Sequence, residues 1–438
     1  MLLFRQFVDD DLGCASYLVG DSGAGVAVVV DPAFAIEQYV EAAHEEGVEL
    51  TRVLETHTHA DHLSGHGRFA LEHDLPVAIH ALAEPTYPYE ALADGDVVEV
   101  GAVRIRVLHT PGHRPEHCAF VVDDELVLTG DSLFVGDAAR PDLAVAVREG
   151  AEDLFHSLER LTALDGEVRM YPGHVAGSLC GGNMSSARSS TIGAECATNS
   201  ALQLHDVQEF VLVSASVSTP RPPTTERVVG LNRGPWVRRP EEPHELASAE
   251  GATVLDVRPF ADYTAGHVEG AISVPVSGAS FATKAGFVLI AGEPIVLHAR
   301  SQDEALDATR GLWKVGFLEL AGYVLAPPAD ETLVTLDVAE LKELLAASDV
   351  QLVDVREAPE RDTGYIPGSR NIPYRLLRKL GCGALERSKP VVTVCESGPR
   401  AAIAASLLKR EGFDVSAVAG GGIADFGGEV VSFRRCGS

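Results

Sequence analysis

Short apolar, β-rich runs punctuate the first two hundred residues, and each stops at a polar loop. Val53-Leu54 precedes Thr56-His57-Thr58-His59-Ala60-Asp61-His62, and Val103 to Leu108 precedes Thr110-Pro111-Gly112-His113. Leu126-Val127-Leu128 precedes Thr129-Gly130-Asp131, and Val168-Arg169-Met170 precedes Tyr171-Pro172-Gly173-His174. Short apolar runs bounded by turn residues predict strands. Strand ends hold side chains rigidly and leave one face open, which is where functional groups collect. The pattern therefore predicts four strand-end loops converging on one point.

The chemistry of those loops is that of a metal site. The first reads His-x-His-x-Asp-His, with His57, His59, Asp61 and His62 crowded onto one turn. Imidazoles packed this closely repel as cations, and they make sense together when a metal ion neutralises and orients them. His113, Asp131 and His174 supply further candidate ligands from the other three loops.

Past residue 215 the character changes. Pro220, Pro222, Pro223, Gly234, Pro235, Pro240 and Pro243 mark 216–243 as a linker. An internal repeat follows. Leu255-Asp256-Val257-Arg258 recurs as Val353-Asp354-Val355-Arg356, and Gly266-His267-Val268-Glu269-Gly270 as Gly364-Tyr365-Ile366-Pro367-Gly368, each 98 positions on. That offset is too long for a solenoid unit and predicts two tandem copies of a small α/β domain, at 244–328 and 334–432.

The copies differ where chemistry would sit. In the second, the buried-strand run Val391 to Val394 ends at Cys395-Glu396-Ser397-Gly398-Pro399-Arg400, and a helical stretch continues through Arg410. A thiol on a strand-to-helix loop faces backbone N–H groups and the positive end of the helix, both of which favour thiolate. Arg400 adds a permanent cation.

Composition bounds the rest. At 438 residues, 46% of them hydrophobic, the chain can bury two or three domain cores. No apolar run approaches the length of a bilayer span, and Asp9-Asp10-Asp11 so close to Met1 makes a poor secretory signal. A net charge of -29 argues against nucleic acid or anionic membrane as partner. Seven cysteines without paired spacing do not suggest a disulfide framework and fit a reducing cytoplasm. Cys14, Cys118, Cys196, Cys382 and Cys436 read as ordinary thiols, and Gly420-Gly421-Gly422 as a close-packed turn.

The four-loop pattern resembles the metallo-β-lactamase superfamily over about residues 1–210. The resemblance implies an αββα sandwich with metal at one sheet edge. In family members with two zinc ions, the matching residues are His57, His59 and His113 for one ion, Asp61, His62 and His174 for the other, and Asp131 as bridge. The persulfide dioxygenase branch keeps these residues but holds one iron through those matching His57, His113 and Asp131. His59, Asp61, His62 and His174 then lie around the ligands or serve a second metal. The loop at 395–400 resembles the rhodanese family, together with the Asp-x-Arg strand end and the Gly-His/Tyr-Ile-x-Gly turn. Cys395 matches the sulfur-carrying cysteine. Four residues intervene before Arg400, as in sulfurtransferases, whereas the related phosphatases have five. The first copy has His298 near the cysteine position and no cysteine anywhere in 197–381, which implies an inactive copy serving as spacer or interface.

The whole chain resembles persulfide dioxygenase–rhodanese fusions: an α/β multidomain protein with a lactamase-like sandwich and two rhodanese-like domains. The implied chemistry is oxidation of a low-molecular-weight thiol persulfide with O2 to sulfite at a single Fe(II), followed by sulfur transfer from Cys395 to sulfite. Arg400, Glu396, Ser397 and Gly398 would bind the anions, and Arg140 and Asp142 would contact the thiol carrier, unless they form a structural salt bridge. Cys180, on the Gly-flanked loop after His174, would handle persulfide near the iron or remain a passive thiol. A homo-oligomer in the cytoplasm is expected. The alternative implied by the same seven residues is a zinc-dependent, glyoxalase-II-like thioester hydrolase with an attached rhodanese.

Overall fold

A computed structural model describes residues 1–141, 146–175, 184–216, 221–380 and 385–427. Two compact units divide the chain: Met1–Pro240 with Trp313–Gly316, and Glu241–Leu312 with Phe317–Ser438. Among the described residues no helix is long and apolar enough to cross a membrane.

The first unit stacks two six-stranded sheets. One runs, in spatial order, Leu2–Val8, Ala15–Asp21, Val26–Val30, Glu49–Leu54, Val77–His80, Glu90–Leu92. The other runs Ser190–Thr191, Arg169–Pro172, Leu126–Gly130, Cys118–Val122, Val103–His109, Val97–Val100. Strand alternation sorts their side chains. Tyr17, Val19, Val28, Val30, Ile105, Val107, Phe120, Val122 and Leu128 point between the sheets. Leu18, Val29 and Val53 point outward onto Tyr39 and Phe69 of helices Glu37–Glu46 and His66–His73. On the opposite side Ala119, Val121, Val127 and Met170 meet Leu154, Leu158 and Leu161 of helix Val147–Thr162. Both faces of each sheet are covered, so the central strands read as continuous apolar runs rather than as alternating ones. The result is the expected αββα sandwich.

The candidate ligands share one edge because of strand direction. Leu126–Gly130 and Arg169–Pro172 are parallel neighbours, and Val103–His109 and Leu126–Gly130 are each antiparallel to the strand between them. All three strands thus end on the same side, ahead of His113, Asp131 and His174. The Cys118 N–H donates to the Thr56 carbonyl at 2.8 Å, which ties the motif loop of the first sheet to the second.

One expectation needs correction. The 216–243 stretch, read as a linker, contains a helix, Thr225–Arg233, within the first unit. Its nine residues lack proline, with Glu226 in the first turn and Arg233 in the last, as the helix dipole favours. Val228 and Asn232, one turn apart, are its buried residues. Just beyond, Trp236 stacks on Tyr87 at 3.8 Å between ring centroids. The proline-rich flanks hid a short docked helix.

The second unit holds the two repeats. The first is a parallel sheet in the order Ile272–Ser273, Thr253–Asp256, Ile295–His298, Gly322–Val324. The second has the same order in Arg370–Asn371, Gln351–Asp354, Val391–Val394, Val415–Val418, with Val334–Leu336 added at the edge. In the first copy that edge strand is reduced to a single bridge between Glu245 and Tyr323. Asp256 and Asp354 each grip an arginine two residues on. Arg258 then donates to the Gly266 carbonyl at 2.8 Å and Arg356 to that of Gly364 at 2.6 Å. The repeated sequence motifs are therefore the same strand-end buckle built twice.

Candidate functional site

His57, His113 and Asp131 meet, fully buried, with one donor atom from each within 4.8 Å of the others. Each imidazole is held by its far nitrogen. His57 Nδ1 lies 2.9 Å from Thr56 Oγ1, which itself donates to Asp31 Oδ2 at 2.8 Å, so the imidazole is the donor. His113 Nδ1 donates to the Arg140 carbonyl at 3.1 Å. Both rings thus turn Nε2, bearing a lone pair, toward Asp131 Oδ2, at 3.9 Å from His57 and 3.5 Å from His113. Burial, reinforced by neighbouring His59, His117 and His113, pushes His57 well below the usual histidine range. Burial also lowers His113, outweighing the pull of Asp131. For Asp131, burial works upward, but the charge and hydrogen bond of His174 overcome it and hold the group below the usual carboxylate range. Two neutral imidazoles and one carboxylate on one face are a ligand set for a divalent metal. His57 Nε2 and Asp131 Oδ2 are buried without a hydrogen-bond partner, which proteins rarely tolerate unless the atoms serve another bond. The residues fit a metal ion.

Asp61, His62 and His174 gather beside them, but these groups bond to one another. His174 bridges Asp131 Oδ1 and Asp61 Oδ2, at 2.7 Å each. His62 Nδ1 lies 3.3 Å from Asp61 Oδ1. Into this set projects Cys14, whose Sγ is 3.3 Å from His62 Nδ1 and 3.5 Å from Asp61 Oδ2. Burial, with Asp61 adding to it, pushes this thiol well up, so it stays protonated. The expectation that Cys14 is an ordinary thiol is corrected: a β-bridge to His174 sets it against the candidate ligands. His59 turns the other way, with Nε2 3.3 Å from Asp31 Oδ1 and 3.1 Å from Glu55 Oε2.

Several positioning groups escaped the sequence reading. His117 Nε2 accepts from the Asp131 N–H at 2.8 Å, which leaves its Nδ1–H for Thr110 Oγ1 at 2.9 Å. Burial, with His113 adding to it, lowers His117 to about 3, so the ring stays neutral as that acceptor role requires. Asp31 receives the Thr56 N–H at 2.7 Å. Asp31 carried a legible signal, being a carboxylate at the end of the apolar run Val26 to Val30. His117 carried none. Arg140 reaches the site through its backbone, holding His113, and its side chain is buried. Cys180, Asp142, Cys382 and Cys436 lie outside the described residues.

In the second unit the N–H of Gly398, the residue capping the N-terminus of helix Pro399–Arg410, donates to Cys395 Sγ at 3.1 Å. Cys395 is only 1% exposed. Gly398 has a φ of 103°, a conformation open to glycine, and this aims its amide at the sulfur. Arg400 grips Glu360 with both terminal nitrogens, at 2.6 and 2.7 Å, and Glu396 pairs with Arg356 at 2.9 Å. The loop is thus braced by ion pairs, and Arg400's fork, expected on an anion, is engaged by Glu360. The close-packed reading of the glycine triplet is supported at Gly422, where a Cβ would sit 1.8 Å from the Glu396 carbonyl oxygen. In the first copy, His298 pairs with Asp256 as Val394 pairs with Asp354. The equivalent of Cys395 is therefore Ala299, and His298 is the last strand residue before it.

Residues 9–174 match the model of the metallo-beta-lactamase superfamily, and residues 240–325 and 337–426 each match that of the rhodanese-like domain. The mitochondrial persulfide dioxygenase ETHE1 of Bos taurus is 29% identical over 243 residues, 55% of this chain and 91% of that protein. The hydroxyacylglutathione hydrolase of Francisella philomiragia is 31% identical over 176 residues, 40% of this chain and 68% of that protein. The crystal structure of a metallo-beta-lactamase from Staphylococcus aureus superposes with a TM-score of 0.68 at 30% identity. It covers 74% of this chain and 98% of its own.

Proposed function

Because the chain belongs to the metallo-β-lactamase superfamily and continues into tandem rhodanese-like domains, we propose that it oxidises a small thiol persulfide with O2 and passes sulfane sulfur to the sulfite formed. The first reaction takes RSSH, O2 and water to RSH, sulfite and two protons. In the second, the Cys395 thiol takes the outer sulfur of a persulfide, releasing RSH, and sulfite then removes that sulfur as thiosulfate and restores the thiol.

The observation carrying this reading is the contrast between the two donor sets. His57 Nε2 and Asp131 Oδ2 are buried without a hydrogen-bond partner and face His113, whereas Asp61, His174, Cys14 and the Nδ1 of His62 bond to one another, leaving His62 Nε2 as the unpartnered buried atom of that second set. That favours one metal over two. An iron(II) held by His57, His113 and Asp131 would supply adjacent open positions where sulfur and O2 can meet. The protein's part is orientation. Thr56 and the Arg140 carbonyl fix the imidazoles, and His174 and His117 fix Asp131. In the second unit the Gly398 amide supports charge on Cys395 sulfur as it leaves or accepts the transferred atom.

A zinc-dependent thioester hydrolase is the second reading, favoured by the hydroxyacylglutathione hydrolase among the relatives. One experiment separates them: oxygen uptake by the iron-loaded protein given a low-molecular-weight persulfide, with sulfite and thiosulfate measured together. Uptake, with thiosulfate replacing sulfite only when Cys395 is intact, supports the proposal. Thioester hydrolysis without oxygen, by protein holding two zinc ions and inert to persulfides, rejects it.

A further inference from the structure

Every hydrogen-bonding group of the Asn232 side chain is spent on the His-x-His-x-Asp-His loop. Nδ2 donates to the carbonyls of His59 at 2.9 Å and His62 at 2.8 Å, and Oδ1 accepts from the Ser64 N–H at 2.9 Å. The amide cannot be turned over, since two carbonyls require donors and one N–H requires an acceptor. Asn232 is 3% exposed. It comes from outside the residues that match the lactamase family, on the helix found where a linker was expected. That helix is fastened on both sides of Asn232: Val228 is buried one turn earlier, and the Thr86 N–H donates to the Arg233 carbonyl at 2.7 Å.

The loop has no strand or helix of its own between Thr56 and Ser64 to satisfy its backbone. At its entry the Thr56 N–H is held by Asp31. At its exit Asn232 takes the carbonyls on either side of Asp61 and the N–H of Ser64. We propose that Asn232 is a positioning residue of the metal centre, setting the backbone from which His57, His59, Asp61 and His62 project. This rests on the metal reading above. It makes the 225–240 segment part of the centre's framework rather than a tether.

The test is cobalt(II) binding to the full-length chain, followed by chelator competition and by the ligand-field absorption bands. Asn232→Asp keeps the size and the acceptor but turns a charged oxygen on two carbonyls. It is expected to weaken cobalt at least about ten-fold and to shift the bands, while the metal-free chain keeps its far-UV spectrum. Should that variant fail to fold, Asn232→Ser, which removes the amide without adding charge, is read in the same way. Glu226→Ala changes an exposed side chain on the same helix without touching the amide and is expected to keep affinity within about two-fold. Unchanged affinity and bands in the Asn232 variant overturn the proposal, as does an equal loss in Glu226→Ala. A wild-type chain that takes up no cobalt overturns the metal reading itself.

Discussion

Asp131 divides its two carboxylate oxygens between different partners: His174 Nδ1 takes Oδ1 at 2.7 Å, while Oδ2 faces His57 and His113 without a hydrogen bond. The unequal use distinguishes a ligand from its support. His57→Ala, which removes a donor atom, is expected to abolish stoichiometric iron binding. His174→Ala, which removes the brace on Asp131 and the contact with Asp61 but none of the three proposed ligands, is expected to weaken iron by roughly 10–100-fold without eliminating it. Metal analysis after dialysis against graded chelator reads both, and equal losses would reject the division of roles.

Cys14 closes the second donor set from the side. Replacing it with Ala removes the sulfur lying 3.3 Å from His62 Nδ1 and 3.5 Å from Asp61. The wild-type chain is expected to hold about one metal ion even in excess zinc, as its two-imidazole, one-carboxylate set implies. Cys14→Ala is expected to take up a second. A stoichiometry that does not move would show that the Asp61–His174 contact alone closes the site.

Gly422 packs against the backbone of the sulfur-transfer loop. An alanine there would place Cβ 1.8 Å from the Glu396 carbonyl and 2.5 Å from that of Cys395. Both obstacles are backbone, so the loop must move. Gly422→Ala is expected to cost about 1–3 kcal/mol and to cut thiosulfate formation, leaving persulfide oxidation by the first unit intact. Normal sulfur transfer in this variant would mean that loop geometry is not limiting.

The Arg400–Glu360 pair has a predictable pH signature. Burial pushes the Glu360 carboxyl upward, but hydrogen bonds and charge from Arg400 overcome it and hold the group below its usual value. A carboxylate depressed in the folded state stabilises above its unfolded pKa, roughly 4.3, and loses that contribution as pH falls through the folded value. The destabilisation caused by Glu360→Gln should therefore be full at neutral pH and shrink in acid. Calorimetry at neutral pH and again below about pH 4 checks this, and a difference that stays constant would place the pair's role elsewhere.

What the sequence by itself determined was local and repeated. Apolar runs ending in Gly- or Pro-marked polar loops disclosed the strands and their ligands, because a buried strand and the turn after it are encoded in adjacent residues. The Asp-x-Arg buckle appears twice in the chain and twice in the fold for the same reason. What only tertiary structure decided were relations between residues far apart in sequence. Cys14 meets His62, His117 holds the Asp131 amide, and Asn232 holds the His59 and His62 carbonyls. Nothing near Asn232 in sequence distinguishes it from a polar residue on a surface helix. Its role follows from where sheet packing leaves buried carbonyls in need of a donor, and that need exists only once the chain has folded.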